Sequence, residues 1–394
     1  MKTIKYSILI LIISSCSKDN DNSINVTSEE SLTQRLQQIF EQSDLPGFTV
    51  GLVNNGNAVY QNSFGFQDIE NNIEYSNQTL QPIGSISKTF IGVAVVKAIE
   101  LGYFNLETPI NDILTEPLIN PKNPLAEIRI RHLVNHTSGL INPVSTYALS
   151  YYILMGENTA SDGAQILQNY GITQRNPKTL AQFIDAYFYE GGDYYSLDNF
   201  TNNTLGEIES YSDTGSSLMA LLIEIASSMS YQDFLKTHIF KPLGMNNTSF
   251  EYNLPNDNYA SLYFDKSTPF PLYNLESFPD GSLKTSNEDL MKYLLNMMAG
   301  QRGETTLLFD SAFYNLLFTN TTETYAIFWD VLGENTFGHT GSDPGLGTTL
   351  SFSGTLNQGA FILSNFDSTD LVNEEYLDEI FEQISESLEM FLSN

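Results

Sequence analysis

Strand patterns occur only towards the two ends of this chain, and that distribution constrains the fold more than any other feature. Residues 48–53 and 58–64 have strand character, and the Asn54-Asn55-Gly56-Asn57 stretch between them is a hairpin signal. Strand patterns return at residues 348–353 and 360–364, whereas the middle of the chain is mostly helical in pattern. We therefore predict an α/β (α+β) fold, in which an antiparallel sheet flanked by helices carries an inserted, mostly helical lobe.

The same patterns predict how the folded part is divided. We expect one domain over residues 31–394, with a sheet lobe formed by about residues 31–75 and 275–394. The helical lobe would occupy about residues 76–274. Because ligand sites favour the junction between lobes, we expect the functional site there.

Charge limits the possible partners. The 394 residues contain 47 acidic and 17 basic side chains, for a formal net charge of −30. Such a chain repels phosphate backbones, so we expect no nucleic-acid partner. An anionic membrane surface is an equally poor electrostatic partner. The four histidines and the single cysteine show no metal-ligand spacing, so we expect no metal and no other cofactor.

The first residues have the pattern of an export signal. Residues 1–15 combine a short basic start with an apolar stretch too short to span a bilayer, which predicts a signal peptide. The Ile13-Ser14-Ser15-Cys16 ending resembles a bacterial lipobox, which implies cleavage before Cys16 and its lipidation. Residues 16–30 would then be a lipidated, disordered tether on an outer-membrane lipoprotein, at the periplasmic or the cell-surface face. The alternative is an ordinary secreted protein with an accidental cysteine.

A Ser-x-x-Lys motif, Ser85 to Lys88, stands at the head of a long apolar run. Residues three apart share one face of a helix, so the two side chains should meet. Burial and the positive helix N-terminus would push the Lys88 ammonium towards its neutral form, and a neutral lysine can activate a serine hydroxyl. On its own the motif is weak, because an isolated Ser-x-x-Lys is far more often an N-cap serine followed by a solvated lysine.

Six further blocks follow the order of a known family. They are Leu45-Pro46-Gly47, His136-Thr137-Ser138-Gly139-Leu140, Tyr211-Ser212-Asp213, Pro242-Leu243-Gly244-Met245, Asp280-Gly281-Ser282-Leu283 and His339-Thr340-Gly341. With Ser85 and Lys88, this pattern resembles the class C β-lactamase-like serine hydrolases over about residues 32–392. That family includes D-Ala-D-Ala carboxypeptidases, D-aminopeptidases and esterases. The resemblance implies a β-lactamase/transpeptidase-like fold.

Roles follow from the resemblance position by position. Ser85 would be the nucleophile and Lys88 would relay its proton. Tyr211 would be the general base, either as a phenolate or within a proton network shared with Lys88. The N–H groups of Ser85 and Ser342 would form the oxyanion hole. The substrate-binding residues would be Asp213, His339, Thr340 and Gly341.

Two positions depart from the family pattern. Asp213 stands where the family usually has Asn, and a carboxylate cannot donate to a substrate carbonyl. It would also hold Lys88 charged, so we expect it to lower β-lactam or peptide turnover more than ester turnover. His339 stands where β-lactamases have Lys, and a histidine pairs with a substrate carboxylate only when it is protonated.

Together these features predict a serine hydrolase that forms an acyl-enzyme at Ser85. The expected substrate is a small molecule or peptide, either an ester or a D-amino-acid amide, with weak or no β-lactamase activity. The membrane would be contacted through the lipid on Cys16. The alternative is a surface binding protein that has kept a hydrolase fold and lost turnover.

Overall fold

A computed structural model describes residues 26–253 and 258–394. Its helices are α1 Glu29–Gln42, α2 Ser87–Glu100, α3 Ile130–Val134, α4 Val144–Tyr147, α5 Asp162–Asn169, α6 Leu180–Phe188, α7 Asp213–Ser227, α8 Tyr231–Leu235, α9 Lys241–Leu243, α10 Asn287–Gln301, α11 Ser311–Leu317 and α12 Leu371–Leu392. Its strands are β1 Gly47–Asn54, β2 Asn57–Asp68, β3 Ile73–Glu74, β4 Gln81–Pro82, β5 Tyr151–Ile153, β6 Thr173–Gln174, β7 Tyr263–Asp265, β8 Thr268–Pro269, β9 Tyr273–Leu275, β10 Lys284–Thr285, β11 Asp330–Gly333, β12 Thr336–Asp343, β13 Leu346–Ser353 and β14 Gln358–Ser364.

The main sheet joins strands from both ends of the chain. Its order is β11-β12-β13-β14-β1-β2-β3, and every neighbouring pair is antiparallel. β1 pairs with β14 over seven residues, which brings the first and last strand segments side by side. The predicted α/β fold with an antiparallel sheet and flanking helices is confirmed. The division into two lobes at residues 76 and 274 stays a prediction.

The predicted hairpin lies between β1 and β2. Asn55 and Gly56 both have positive φ, +49° and +73°, which a two-residue type I′ turn requires. Asn and Gly tolerate that region better than other residues, so the local sequence selects the turn.

Helices cover both faces of the sheet. Successive side chains of a strand point to opposite faces, and apolar side chains on each face pack against helices. Val50 and Leu52 point into a cluster with residues of α1 and α12. Phe361 and Leu363 of β14 point to the opposite face, into the larger core that includes α2, α7 and α10. α2 is buried over most of its length, which fixes the segment that begins at Ser87.

Part of the predicted tether, residues 26–30, has a defined structure. Residues 26–30 are ordered: Val26 is fully buried beside α1 and α12, and Ser28 caps α1 by accepting from the Ser31 N–H. Asn394 also donates to the Val26 carbonyl at 2.9 Å, which ties this segment to the end of the chain. The prediction of disorder for residues 26–30 is therefore wrong, because tertiary contacts with α12 order a polar stretch.

The predicted signal peptide, Cys16 and residues 17–25 of the predicted tether lie outside the described residues. Among the helices of residues 26–253 and 258–394, none is both long and apolar enough to cross a membrane.

Candidate active site

Ser85 lies in a single 3-10 turn, residues 84–86, that leads directly into α2. Gly84 has φ +54°, and a Cβ there would lie 2.9 Å from the Ser342 nitrogen. Only glycine lets this turn come so close to β12. Ser85 itself is half-buried, so its hydroxyl is held by a rigid element yet is still partly open to solvent.

Lys88 connects Ser85 to the second motif. Its Nζ lies 2.9 Å from Ser85 Oγ, 2.7 Å from Asp213 Oδ1 and 2.8 Å from the carbonyl oxygen of Asp280. The side chain is fully buried. An ammonium has three N–H donors, and these three oxygens use all of them.

The charge of Lys88 differs from the expectation for a Ser-x-x-Lys motif. Burial pulls its pKa down, as predicted, but the Asp213 carboxylate, with smaller contributions from Tyr211 and Asp280, outweighs burial and raises the pKa above its ordinary value. Lys88 is therefore an ammonium at neutral pH. The prediction of a neutral Lys88 is wrong, whereas the prediction that Asp213 holds it charged is confirmed.

Tyr211 precedes α7 and is positioned by His136. The His136 carbonyl accepts from the Ser210 N–H at 2.7 Å, and His136 Nδ1 accepts from the Ser212 N–H at 3.2 Å. The Tyr211 and His136 rings lie 4.6 Å apart, and Lys88 Nζ lies 5.1 Å from the Tyr211 ring centroid. His136 thus holds the backbone on both sides of Tyr211.

The Tyr211 hydroxyl lies close to the Ser85 and Lys88 side chains, while 38% of the residue is exposed. Burial of the hydroxyl raises its pKa, and this effect together with Asp213 outweighs the opposing Lys88 charge. Tyr211 is therefore a neutral phenol at neutral pH. Of its two predicted roles, this favours a proton network shared with Lys88 over a phenolate.

Asp213 is the first residue of α7 and is bound on two sides. Its Oδ1 contacts Lys88, and its Oδ2 accepts from Asn142 Nδ2 at 2.8 Å. The Asp213 N–H in turn donates to Asn142 Oδ1 at 2.8 Å. Sequence reasoning missed Asn142, although an amide two residues beyond the His-Thr-Ser-Gly-Leu block was an available signal.

A second buried carboxyl group, that of Asp280, lies behind Lys88. Its Oδ1 is 3.0 Å from the Tyr147 hydroxyl, and its Oδ2 is 2.9 Å from Ser217 Oγ. Burial, opposed by Lys88 and reinforced by Asp213, raises the pKa of Asp280 to about 7. The sequence placed Asp280 in a family block without a role, because nothing local shows that its side chain is buried.

The part of β12 that follows its pairing with β11, and that includes Gly341 and Ser342, lies against the Ser85 turn. A Cβ at Gly341 would lie 3.0 Å from the Ser85 nitrogen, just as one at Gly84 would lie 2.9 Å from the Ser342 nitrogen. The two N–H groups predicted as an oxyanion hole are therefore neighbours across this junction. Thr340 is half-buried on the same strand.

His339 is buried on β12, 6.2 Å from the Tyr211 ring. Its Nδ1 lies 2.6 Å from the Thr340 carbonyl, which can only accept, so Nδ1 carries the hydrogen in the neutral ring. Burial and the Lys88 charge lower its pKa, although Asp330 partly opposes them. His339 is therefore neutral at neutral pH.

The structure thus brings Ser85, Lys88, Tyr211, Asp213 and the His339–Ser342 part of β12 into one site. A comparison with protein-family models matches the Beta-lactamase family over residues 32–382. The chain belongs to the Beta-lactamase family.

Relatives and solved structures agree with this membership. Penicillin-binding protein 4* of Bacillus subtilis (strain 168) is 31% identical over 200 residues, which cover 51% of this chain and 37% of the relative. Protein flp of Staphylococcus aureus (strain MRSA252) is 24% identical over 277 residues, 68% of this chain and 49% of the relative. The chain therefore spans half or less of the length of these curated relatives.

Two solved structures share the fold. The octameric penicillin-binding protein homologue from Pyrococcus abyssi superposes with a TM-score of 0.67 at 23% identity, over 85% of this chain and 73% of that one. A penicillin-binding protein from Bacillus halodurans gives a TM-score of 0.63 at 19% identity, over 88% of this chain and 99% of that one. The chain therefore shares the fold of these penicillin-binding proteins.

Proposed function

We propose that this member of the Beta-lactamase family forms an acyl-enzyme at Ser85 and acts on esters or on D-amino-acid amides or peptides. The observation that carries the proposal is the 2.9 Å contact between Ser85 Oγ and Lys88 Nζ, beside two neighbouring backbone N–H groups. A nucleophile, a proton-handling group and oxyanion donors are the parts that acyl transfer needs.

In this scheme Ser85 Oγ attacks the substrate carbonyl, and the oxygen that gains charge lies between the Ser85 and Ser342 N–H groups. The Ser85 proton leaves through Lys88, which contacts Ser85 Oγ, and protonates the leaving group. The Tyr211 phenol, close to both side chains, is part of the same hydrogen-bond network. Water then attacks the acyl-enzyme and releases the acid. No step requires a cofactor.

Two features of the site support weak or no β-lactamase activity. Both Asp213 oxygens are already engaged, by Lys88 and Asn142, and neither can donate to a substrate amide. His339 is neutral at neutral pH, so it offers no positive charge to a substrate carboxylate. An ester that carries no carboxylate needs neither a hydrogen bond donated by residue 213 nor a positive charge on His339.

A cleft of about 570 Å³ opens beside Tyr211 and Asn142 and supports a substrate with uncharged polar groups. Asn202 and Asn203 offer amides along its wall, and Phe200 offers an aromatic face. Its one lysine, Lys122, lies 3.6 Å from the Asp198 carboxylate. The wall is therefore close to neutral, in a chain whose formal net charge is −30.

The Lys88–Asp213 ion pair also favours a second candidate, a binding protein without turnover. An ammonium has no lone pair with which to accept the Ser85 proton. If no other group accepts it, the cleft would bind ligands without cleaving them.

The first test is hydrolysis of p-nitrophenyl butyrate by the purified full-length chain and by Ser85→Ala. We expect a product burst and an acyl adduct of matching mass in the wild type, and loss of both in Ser85→Ala. Ser87→Ala is the matched control, because the Ser87 hydroxyl accepts from the Leu283 N–H, away from the Ser85–Lys88 contact. We expect it to keep turnover within about tenfold.

Equal background in the wild type and Ser85→Ala, with no acyl adduct, would instead support the binding protein. Attachment to the outer membrane through Cys16 is a separate proposal, supported by the lipobox-like sequence alone.

A further inference from the structure

In its resting protonation state, the site holds no free base where the family pattern places one. All three Lys88 N–H donors are used by oxygens, and its raised pKa keeps it an ammonium. Tyr211 is a neutral phenol. Neither group can take the Ser85 proton unless it first gives up one of its own.

Asp280 is not the missing base. Ser217 Oγ lies 2.9 Å from two oxygens, the Ser277 carbonyl and Asp280 Oδ2. Asp280 Oδ2 thus accepts from Ser217, and Asp280 Oδ1 accepts from the Tyr147 hydroxyl. Only the Asp280 backbone carbonyl contacts Lys88. The Asp280 carboxyl group therefore has no direct contact with the lysine through which the proton would have to pass.

Asp213 remains, and its geometry suits the task. Its Oδ1 lies 2.7 Å from the same Nζ that contacts Ser85 Oγ. Its second oxygen is occupied by Asn142, so only Oδ1 faces the lysine.

We propose that Asp213 is the final acceptor of the Ser85 proton, which reaches it through Lys88. The inference rests on the proposed acyl-enzyme chemistry at Ser85. Asp213 and Asn142 are positioning residues in this scheme, since both act through Lys88.

The proton balance closes over one turnover. In acylation, Ser85 Oγ bonds to the substrate carbon and gives its proton to Lys88, while Lys88 gives another proton to Asp213 Oδ1. When the leaving group departs, that proton returns through Lys88 to the leaving alkoxide, and the ester C–O bond breaks. In deacylation, water takes the place of Ser85, and its proton follows the same route before it returns to Ser85 Oγ.

Asn142 would keep the relay aligned. Its amide donates to Asp213 Oδ2 and accepts from the Asp213 N–H, both at 2.8 Å. This clamp fixes the carboxylate relative to the start of α7. Loss of the clamp should slow proton transfer without changing which group accepts the proton.

The test is the pH dependence of the p-nitrophenyl butyrate burst in wild type, Asp213→Asn and Asn142→Ala. At pH 7 we expect Asp213→Asn to acylate about 100-fold more slowly. Its rate should rise with pH, because Lys88 must then lose a proton to act alone. The wild type should be flat across neutral pH, and Asn142→Ala should lose about tenfold and stay flat.

An Asp213→Asn enzyme as fast as the wild type at pH 7 would overturn the relay. So would a wild-type burst rate that rises tenfold per pH unit through the neutral range, a result that needs no variant to fold. Ser85→Ala separates the two proposals. If Ser85→Ala still gives a burst, the acyl-enzyme proposal fails; if it is inactive while Asp213→Asn is fully active, only the relay fails.

Discussion

Two buried lysines, Lys88 and Lys284, show how differently one side chain behaves in two parts of this molecule. Both are essentially inaccessible to solvent, and the Nζ of each lies near three oxygen acceptors. The pKa of Lys88 is raised, whereas burial lowers that of Lys284 to about 7.

The acceptors explain the difference. Those of Lys284 are neutral: the Phe250 carbonyl at 2.9 Å, the Ser282 carbonyl at 3.0 Å and Asn274 Oδ1 at 3.3 Å. The charges of Glu251 and Asp343 only partly oppose its burial. Lys88 instead has a carboxylate in direct contact. Burial alone therefore does not decide whether these lysines are charged. For Lys88, the Asp213 carboxylate at 2.7 Å decides it.

The largest expected effect is the difference in catalytic activity between variants of the two lysines. Lys88→Met should lower kcat/KM for p-nitrophenyl butyrate by about 1,000-fold, because it removes the group between Ser85 and Asp213. Lys284→Met is the matched change at a site with no contact to Ser85, and we expect a loss of only a few-fold. Steady-state rates per folded molecule measure both. Similar losses in the two variants would break the functional side of the comparison.

A smaller effect concerns stability around Lys88. The Asp280 pKa of about 7 in the folded protein lies above its ordinary value of 3.8. Between those values the unfolded chain releases a proton that the folded protein keeps, so the unfolding free energy should fall as pH rises from about 4 to about 7. Asp280→Asn should remove that fall and be the more stable protein at pH 8, by roughly 2 to 4 kcal/mol.

Urea unfolding at pH 4.5 and pH 8 measures this difference. The substituted amide can accept from Tyr147 and donate to Ser217, so it is a fair replacement for a neutral carboxyl group at this position. If the wild type and Asp280→Asn lose the same stability between the two pH values, the pKa of Asp280 is not raised in the folded protein.

The smallest expected effect comes from a substitution that gives Lys284 a carboxylate neighbour, as Lys88 already has. Asn274→Asp places a carboxylate about where Asn274 Oδ1 now lies, 3.3 Å from Lys284 Nζ. The pKa of Lys284 should rise, at the cost of the bond from Asn274 Nδ2 to the Phe250 carbonyl.

The readout is again pH-dependent stability. Because the folded pKa of Lys284 is lowered, the wild type should lose stability as pH falls from about 10 to about 7. Asn274→Asp should shrink that loss by about 1 kcal/mol. Unchanged pH dependence would mean that a nearby carboxylate is not what distinguishes the two lysines.

Much of the fold was predictable because its signals are local. The Asn55-Gly56 turn, the strand patterns at both ends and the apolar run after Ser85 each depend on neighbours in sequence. The ordered motifs likewise predicted the family and which side chains would meet, since the spacing from Ser85 to Lys88 is a helical one.

The sequence by itself determined the hairpin, the antiparallel sheet and the motif residues that meet at the candidate site. Only the tertiary structure decided that Asn142 clamps Asp213, that Asp280 turns inward and that Val26 orders the residues before α1. It also decided the charge of Lys88, where sequence reasoning gave two opposite expectations. The physical reason is that a pKa depends on distance and dielectric, and segments more than a hundred residues apart supply both around Lys88.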